Sequence, residues 1–76
     1  MTALDCRGRE LRIGDTLRGH GAMRARVIGF ALADDGRMDV VIEHTAGLSV
    51  RRGAPPVTRL TLPERSQWGK DSGGAL

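Results

Sequence analysis

The sequence predicts an all-β fold: a small five-stranded barrel followed by a C-terminal extension. Three observations carry this. Apolar residues recur at every second position in several short runs, glycine, aspartate and proline punctuate those runs, and almost no stretch keeps a helical apolar period. The chain has 76 residues, enough for one domain that buries roughly 60–65 % of its unfolded surface. Closure into a barrel suits so short a chain because it removes exposed strand edges. The domain is expected over residues 1–62, with residues 63–76 as a C-terminal turn and flexible tail.

Ile13-Gly14-Asp15 reads as a turn leading into the strand Thr16-Leu17-Arg18, and Gly19-His20-Gly21 as the loop that follows. The run from Met23 to Ala33 is long for one strand, and Gly29 sits in its middle. A bulge there lets Ala25, Val27, Phe30 and Leu32 face one core, whereas an unbroken strand would turn the two pairs to opposite faces. Gly29 is therefore expected to bend the barrel. Ala33-Asp34-Asp35-Gly36-Arg37 is a turn sequence, and Met38 to His44 alternates, with Met38, Val40 and Ile42 inward and Asp39 and Glu43 outward. Leu48-Ser49-Val50-Arg51 alternates again and is expected as a strand. Gly53-Ala54-Pro55-Pro56 breaks the chain, since consecutive prolines cannot join a ladder. Thr58 to Leu62 completes the set, with Leu60 and Leu62 inward, and Pro63 ends it.

Composition narrows the function. A chain of this length gives little support to a deep substrate cleft. No apolar run approaches a membrane span of about 20 residues, and MTALDCRGRE lacks a signal-peptide core. Cys6 is the single cysteine, so no internal disulfide framework is expected and a reducing cytoplasm is the default compartment. Hydrophobic residues make up 39 % of the chain and the net charge is +3, which excludes a disordered composition. Eleven of the twelve basic residues are arginine and only Lys70 is lysine. Arginine presents a planar fork suited to phosphate and carboxylate. GC-rich coding is the competing explanation, because it enriches arginine, alanine and glycine together.

The glycines at 14, 19, 21 and 29 do not make a nucleotide-binding loop. They match neither GxGxxG nor GxxxxGK[ST], and a strand-like run follows them where such a loop needs a helix. The order Ile13-Gly14-Asp15-Thr16-Leu17-Arg18, a glycine-bearing loop, then Ala25-Arg26-Val27-Ile28-Gly29-Phe30 instead resembles the opening of SH3-like barrels of the KOW type. The resemblance covers about residues 11–44. Ala25 stands where that family usually has glycine, and the loop here is short. The resemblance implies an SH3-like barrel and association with RNA, ribosomes or transcription machinery.

The residues themselves point to a binding module rather than an enzyme. With Leu17, Ala25, Val27, Val50 and Leu60 inward, Arg18, Arg24, Arg26, Arg51 and Arg59 fall outward by the two-residue period, and with Arg52 they form a candidate phosphate-binding face. Asp39 and Glu43 offer the competing arrangement, in which they neutralise Arg24 and Arg26 across the strands. One phenylalanine, one tryptophan and no tyrosine leave few platforms for base stacking, so any nucleic-acid contact is expected to be backbone-led. Trp68 lies in Pro63 to Trp68, a candidate helical turn, and either plugs one end of the barrel or stands exposed as an anchor for a protein partner.

No catalytic or metal site is expected. Asp71-Ser72-Gly73-Gly74 resembles the nucleophile loop of chymotrypsin-like serine proteases, but Lys70 replaces the preceding glycine and the chain cannot house the histidine and aspartate. Cys6, His20 and His44 lack metal-ligand spacing. The expected partner is nucleic acid or a nucleoprotein complex. The alternative is a protein or a second copy, reached through Trp68 and exposed strand edges. No membrane, small-molecule substrate or cofactor is expected.

Overall fold

The computed structural model describes residues 3–51, 53 and 56–71. Its strands are β1 (Thr16–Arg18), β2 (Arg24–Leu32), β3 (Met38–Ala46), β4 (Val57–Leu60) and β5 (Gly69–Lys70). They form one antiparallel sheet in the order β4-β3-β2-β1-β5. The all-β expectation holds at this level, but the expected barrel closure does not. β4 and β5 end the sheet on opposite sides instead of pairing with each other. Strand length explains this. β2 and β3 have nine residues each, whereas β1 reaches only the first three residues of β2 and β4 only the middle of β3. Closing a barrel needs long strands that tilt together, and the outer strands here are too short to meet.

The two-residue alternation places the core. Leu17, Ala25, Val27, Val40, Ile42 and Leu60 are buried from the sheet, and Ala3, Leu11 and Trp68 join them from outside it. Leu17, Val27, Val40 and Ile42 are the largest fully buried side chains, each stabilising the fold by about 1.5–3 kcal/mol. The expected bulge in β2 is present: Val27 pairs with Ile42 and Gly29 with Val41, leaving Ile28 as the extra residue. Ala25, Val27 and Phe30 consequently share the core side, while Leu32 is exposed at the hairpin end. The cause differs from the expected one. Gly29 has no positive φ, and a Cβ built on it would meet nothing within 4 Å, so the bulge arises from strand pairing and not from glycine's freedom.

Residues 48–51 are a one-turn helix, α1 (Leu48–Arg51), where a strand was expected. Gly47, at φ 117°, turns the chain out of the sheet, and the Val50 N–H then donates to the Gly47 carbonyl at 3.2 Å. Four alternating residues satisfy a strand pattern without fixing one. The fifth strand is Gly69–Lys70, so the sheet continues into the segment after residue 62. Between β4 and β5 lies a 3-10 turn, Glu64–Gln67. Leu62, expected inward, is exposed at its entry.

The N-terminal residues fold back on themselves. The Leu11 N–H donates to the Ala3 carbonyl at 2.9 Å and the Asp5 N–H to the Arg9 carbonyl at 2.8 Å, with Gly8 at φ 79° in the bend. This turn lies along the outer side of β5, where the Lys70 N–H donates to Asp5.

Candidate nucleic-acid interface

Strand register decides which arginines keep an uncompensated charge. Leu17 pairs with Ala25, both inward, and Arg18 pairs with Arg24 one step on. Their side chains therefore share the outer face, directly opposite each other. Arg24 Nη1 donates to the Gly21 and Met23 carbonyls, at 3.0 and 2.8 Å, and so also closes its own loop. Arg26 stands opposite Glu43 across β2 and β3 and forms an ion pair with it at 3.1 Å. Arg59, opposite Val41, reaches diagonally to Asp39 at 2.7 Å. Asp39, expected outward, is buried, and it compensates Arg59 rather than Arg24 or Arg26. Two of the six candidate arginines are thus neutralised within the sheet.

Arg18, Arg24 and Arg51 make no ion pair among the described residues, and they gather at one end of the molecule. Arg18 ends β1, Arg24 begins β2, and Ala46, opposite Arg24, ends β3 just before α1, which packs on β3 and carries Arg51. Arg52, the sixth candidate, lies outside the described residues. Asp34 and Asp35 occupy the turn at the far end, as expected, where Asp35 accepts from the Arg37 N–H at 3.1 Å. That bond, first among several causes, holds the exposed Asp35 carboxyl below its usual value.

Beside Arg18 a cleft of about 260 Å³ opens between the N-terminal turn and β5. Cys6, Arg7, Arg9, Arg18, Lys70 and Asp71 line it, with Gly19, Gln67 and Gly69 completing the wall. Four cations thus face one carboxylate. Arg9 pairs with Asp5 at 3.1 Å and Lys70 with Asp15 at 3.4 Å. Arg7 and Arg18 are exposed and make no ion pair among the described residues. The Cys6 thiol is free and exposed at the same place.

Asp5 organises this cleft, and its role was missed in the sequence. Its side chain is buried and accepts hydrogen bonds from the backbone N–H groups of Arg7 (2.9 Å), Arg9 (2.8 Å) and Lys70 (2.8 Å), and from Arg9 Nε (3.1 Å). Burial pushes the carboxyl up, but the backbone donors of Lys70, Arg9 and Arg7 together with the Arg9 side chain outweigh it, and its pKa is held below the usual value. Aspartate followed by glycine three residues on was the available turn signal.

Trp68 is 6 % exposed, so it is not an exposed anchor. It closes the end of the core. Its ring meets His44 edge-on with centroids 5.6 Å apart, and a Cβ on Gly19 would lie 3.2 Å from it. His44, buried on β3, places Nε2 3.2 Å from Thr58 Oγ1. His44 Nδ1 and Arg65 Nε are buried without a hydrogen-bond partner among the described residues. On another part of the surface, Ala3, Leu11, Ile13, Phe30 and Met38 line an apolar groove of about 360 Å³, with Glu10 and Arg12 also lining it.

Among the described residues no three His, Cys, Asp or Glu side chains converge as metal ligands, and no helix is long and apolar enough to cross a membrane. Of the protease-like tail motif only Asp71 lies within the described residues. No family model, curated protein or solved structure matches this chain.

Proposed function

We propose that the protein is a non-enzymatic binding module that contacts the phosphates of nucleic acid, alone or within a nucleoprotein complex, through the sheet end carrying Arg18, Arg24 and Arg51. One observation carries the reading: Arg18 and Arg24 stand directly opposite each other with no carboxylate partner among the described residues. Like charges so placed destabilise a sheet, and an external polyanion relieves the repulsion. The KOW-type resemblance of residues about 11–44 supports the same choice. With it comes an SH3-like reading of the sheet, left open between β4 and β5. A reducing, cytoplasmic setting fits the single exposed thiol.

Fluorescence anisotropy with labelled duplex DNA and hairpin RNA tests the proposal. Affinity falls steeply with salt, and replacing Arg18 and Arg24 by alanine lowers the log–log salt slope by about 1 per arginine removed. Arg26→Ala, whose charge is already paired with Glu43, changes the slope least. Absence of binding at low salt and roughly 100 μM protein overturns the reading.

The second reading, a protein-docking or self-association module, rests on the apolar groove around Ile13, which is 68 % exposed. It no longer involves Trp68.

A further inference from the structure

The cleft between the N-terminal turn and β5 is separate from the row of arginines across the sheet end, although Arg18 belongs to both. We infer that this cleft receives a terminal phosphate of a nucleic-acid strand, a phosphomonoester, in preference to the internal phosphodiesters; the inference rests on the nucleic-acid reading above.

Charge and size support it. Arg7 and Arg18 come from separate segments and enter the cleft without ion-pair partners among the described residues, whereas the Arg9 and Lys70 charges are shared with Asp5 and Asp15. Two unpaired guanidinium forks match a phosphomonoester, which carries a charge of about −1.5 to −2 near neutral pH. An internal phosphodiester carries a single charge and leaves one fork unmatched. At about 260 Å³ the cleft is smaller than the roughly 300–1,000 Å³ of drug-sized sites, which suits a phosphate and the sugar that bears it. The Asp5 hydrogen bonds to the Arg7 and Lys70 backbone fix both sides of the cleft in advance, so little ordering cost accompanies binding.

The Cys6 thiol reports on the site. Two short duplexes of identical sequence, one with 5′-phosphate and one with 5′-hydroxyl ends, are compared by anisotropy and by protection of Cys6 from iodoacetamide. The phosphorylated duplex binds about tenfold more tightly and slows alkylation, and the hydroxyl duplex does not slow it. Arg7→Ala abolishes the difference while leaving affinity for the hydroxyl duplex unchanged, because Arg7 lies off the sheet-end row. Arg24→Ala weakens both duplexes alike and preserves their ratio. Equal, salt-sensitive binding of both duplexes overturns the terminal-phosphate inference and leaves the phosphate-surface reading standing. Binding of neither overturns both. Protection of Cys6 by a phosphoserine peptide as strong as by the phosphorylated duplex overturns the assignment to nucleic-acid ends.

Discussion

Asp5 ties the N-terminal turn to β5 by accepting from the backbone of Arg7, Arg9 and Lys70. Because its folded pKa is depressed, its contribution is complete above the unfolded value of about 3.9 and is lost as pH falls through the lower folded value. Asp5→Asn lowers stability at neutral pH by about 1–3 kcal/mol, since it weakens acceptance at several donors. It also flattens the acid limb of the stability curve, measured by urea unfolding from pH 7 down to pH 2. A second residue effect centres on Gly19. A methyl group there would press on the Trp68 ring at 3.2 Å and on Met23 Cβ at 3.3 Å. Gly19→Ala is expected to overpack this contact at a cost of about 1–3 kcal/mol and to shift Trp68 fluorescence, because the indole or Met23 must give by a few tenths of an ångström. An unchanged spectrum with unchanged stability would contradict the packing described.

At the level of elements, β2 owes its shape to pairing with β3. Ile28 is the extra residue, and Gly29 adopts a backbone conformation open to any residue with room for a Cβ. Gly29→Ala therefore raises stability by about 0.5–1 kcal/mol by restricting the unfolded chain, read as a higher denaturation midpoint with an unchanged slope. Loss of stability would mean that the bend depends on the glycine. The alternating runs of β2 and β3 were legible because nine residues repeat the pattern often enough to define a face. The four residues of α1 were not, since Leu48 and Val50 give a single step of alternation, too short a run to separate a strand from one turn of helix. Gly69–Lys70 offered no pattern at all. Two residues carry no period, and β5 exists through its pairing with β1 and its bonds to the N-terminal turn.

Across the whole molecule, outward-facing arginines were predictable from alternation, but their electrostatic fate was not. Register and diagonal reach set that fate, pairing Arg26 with Glu43 and Arg59 with Asp39 while bringing Arg18 against Arg24. Sequence distance hid the cleft as well, because Arg7, Arg18 and Lys70 lie far apart in the chain and meet only through the folded N-terminal turn. Trp68 was likewise placed by contacts that no local pattern encodes, and so was the reach of Asp5 to Lys70. Among the described residues, Arg18, Arg24 and Arg51 gather without ion pairs at one end of a molecule whose net charge is only +3. On the proposed function, position of charge rather than its total orients the polyanion.

The N-terminal turn also gives the sheet a direction. The N–H and C=O of Lys70 are taken by Asp5 and Arg9, and the Cys6 N–H donates to the Trp68 carbonyl, so the β5 side has a lid of its own chain. Among the described residues no strand pairs with the outer side of β4. Of the two strands that end the sheet, β4 alone then offers an edge for strand addition between copies, and two chains joined there consume that edge of both. Growth through the terminal strands stops at a pair, because the β5 side is already taken by the chain's own N-terminal turn.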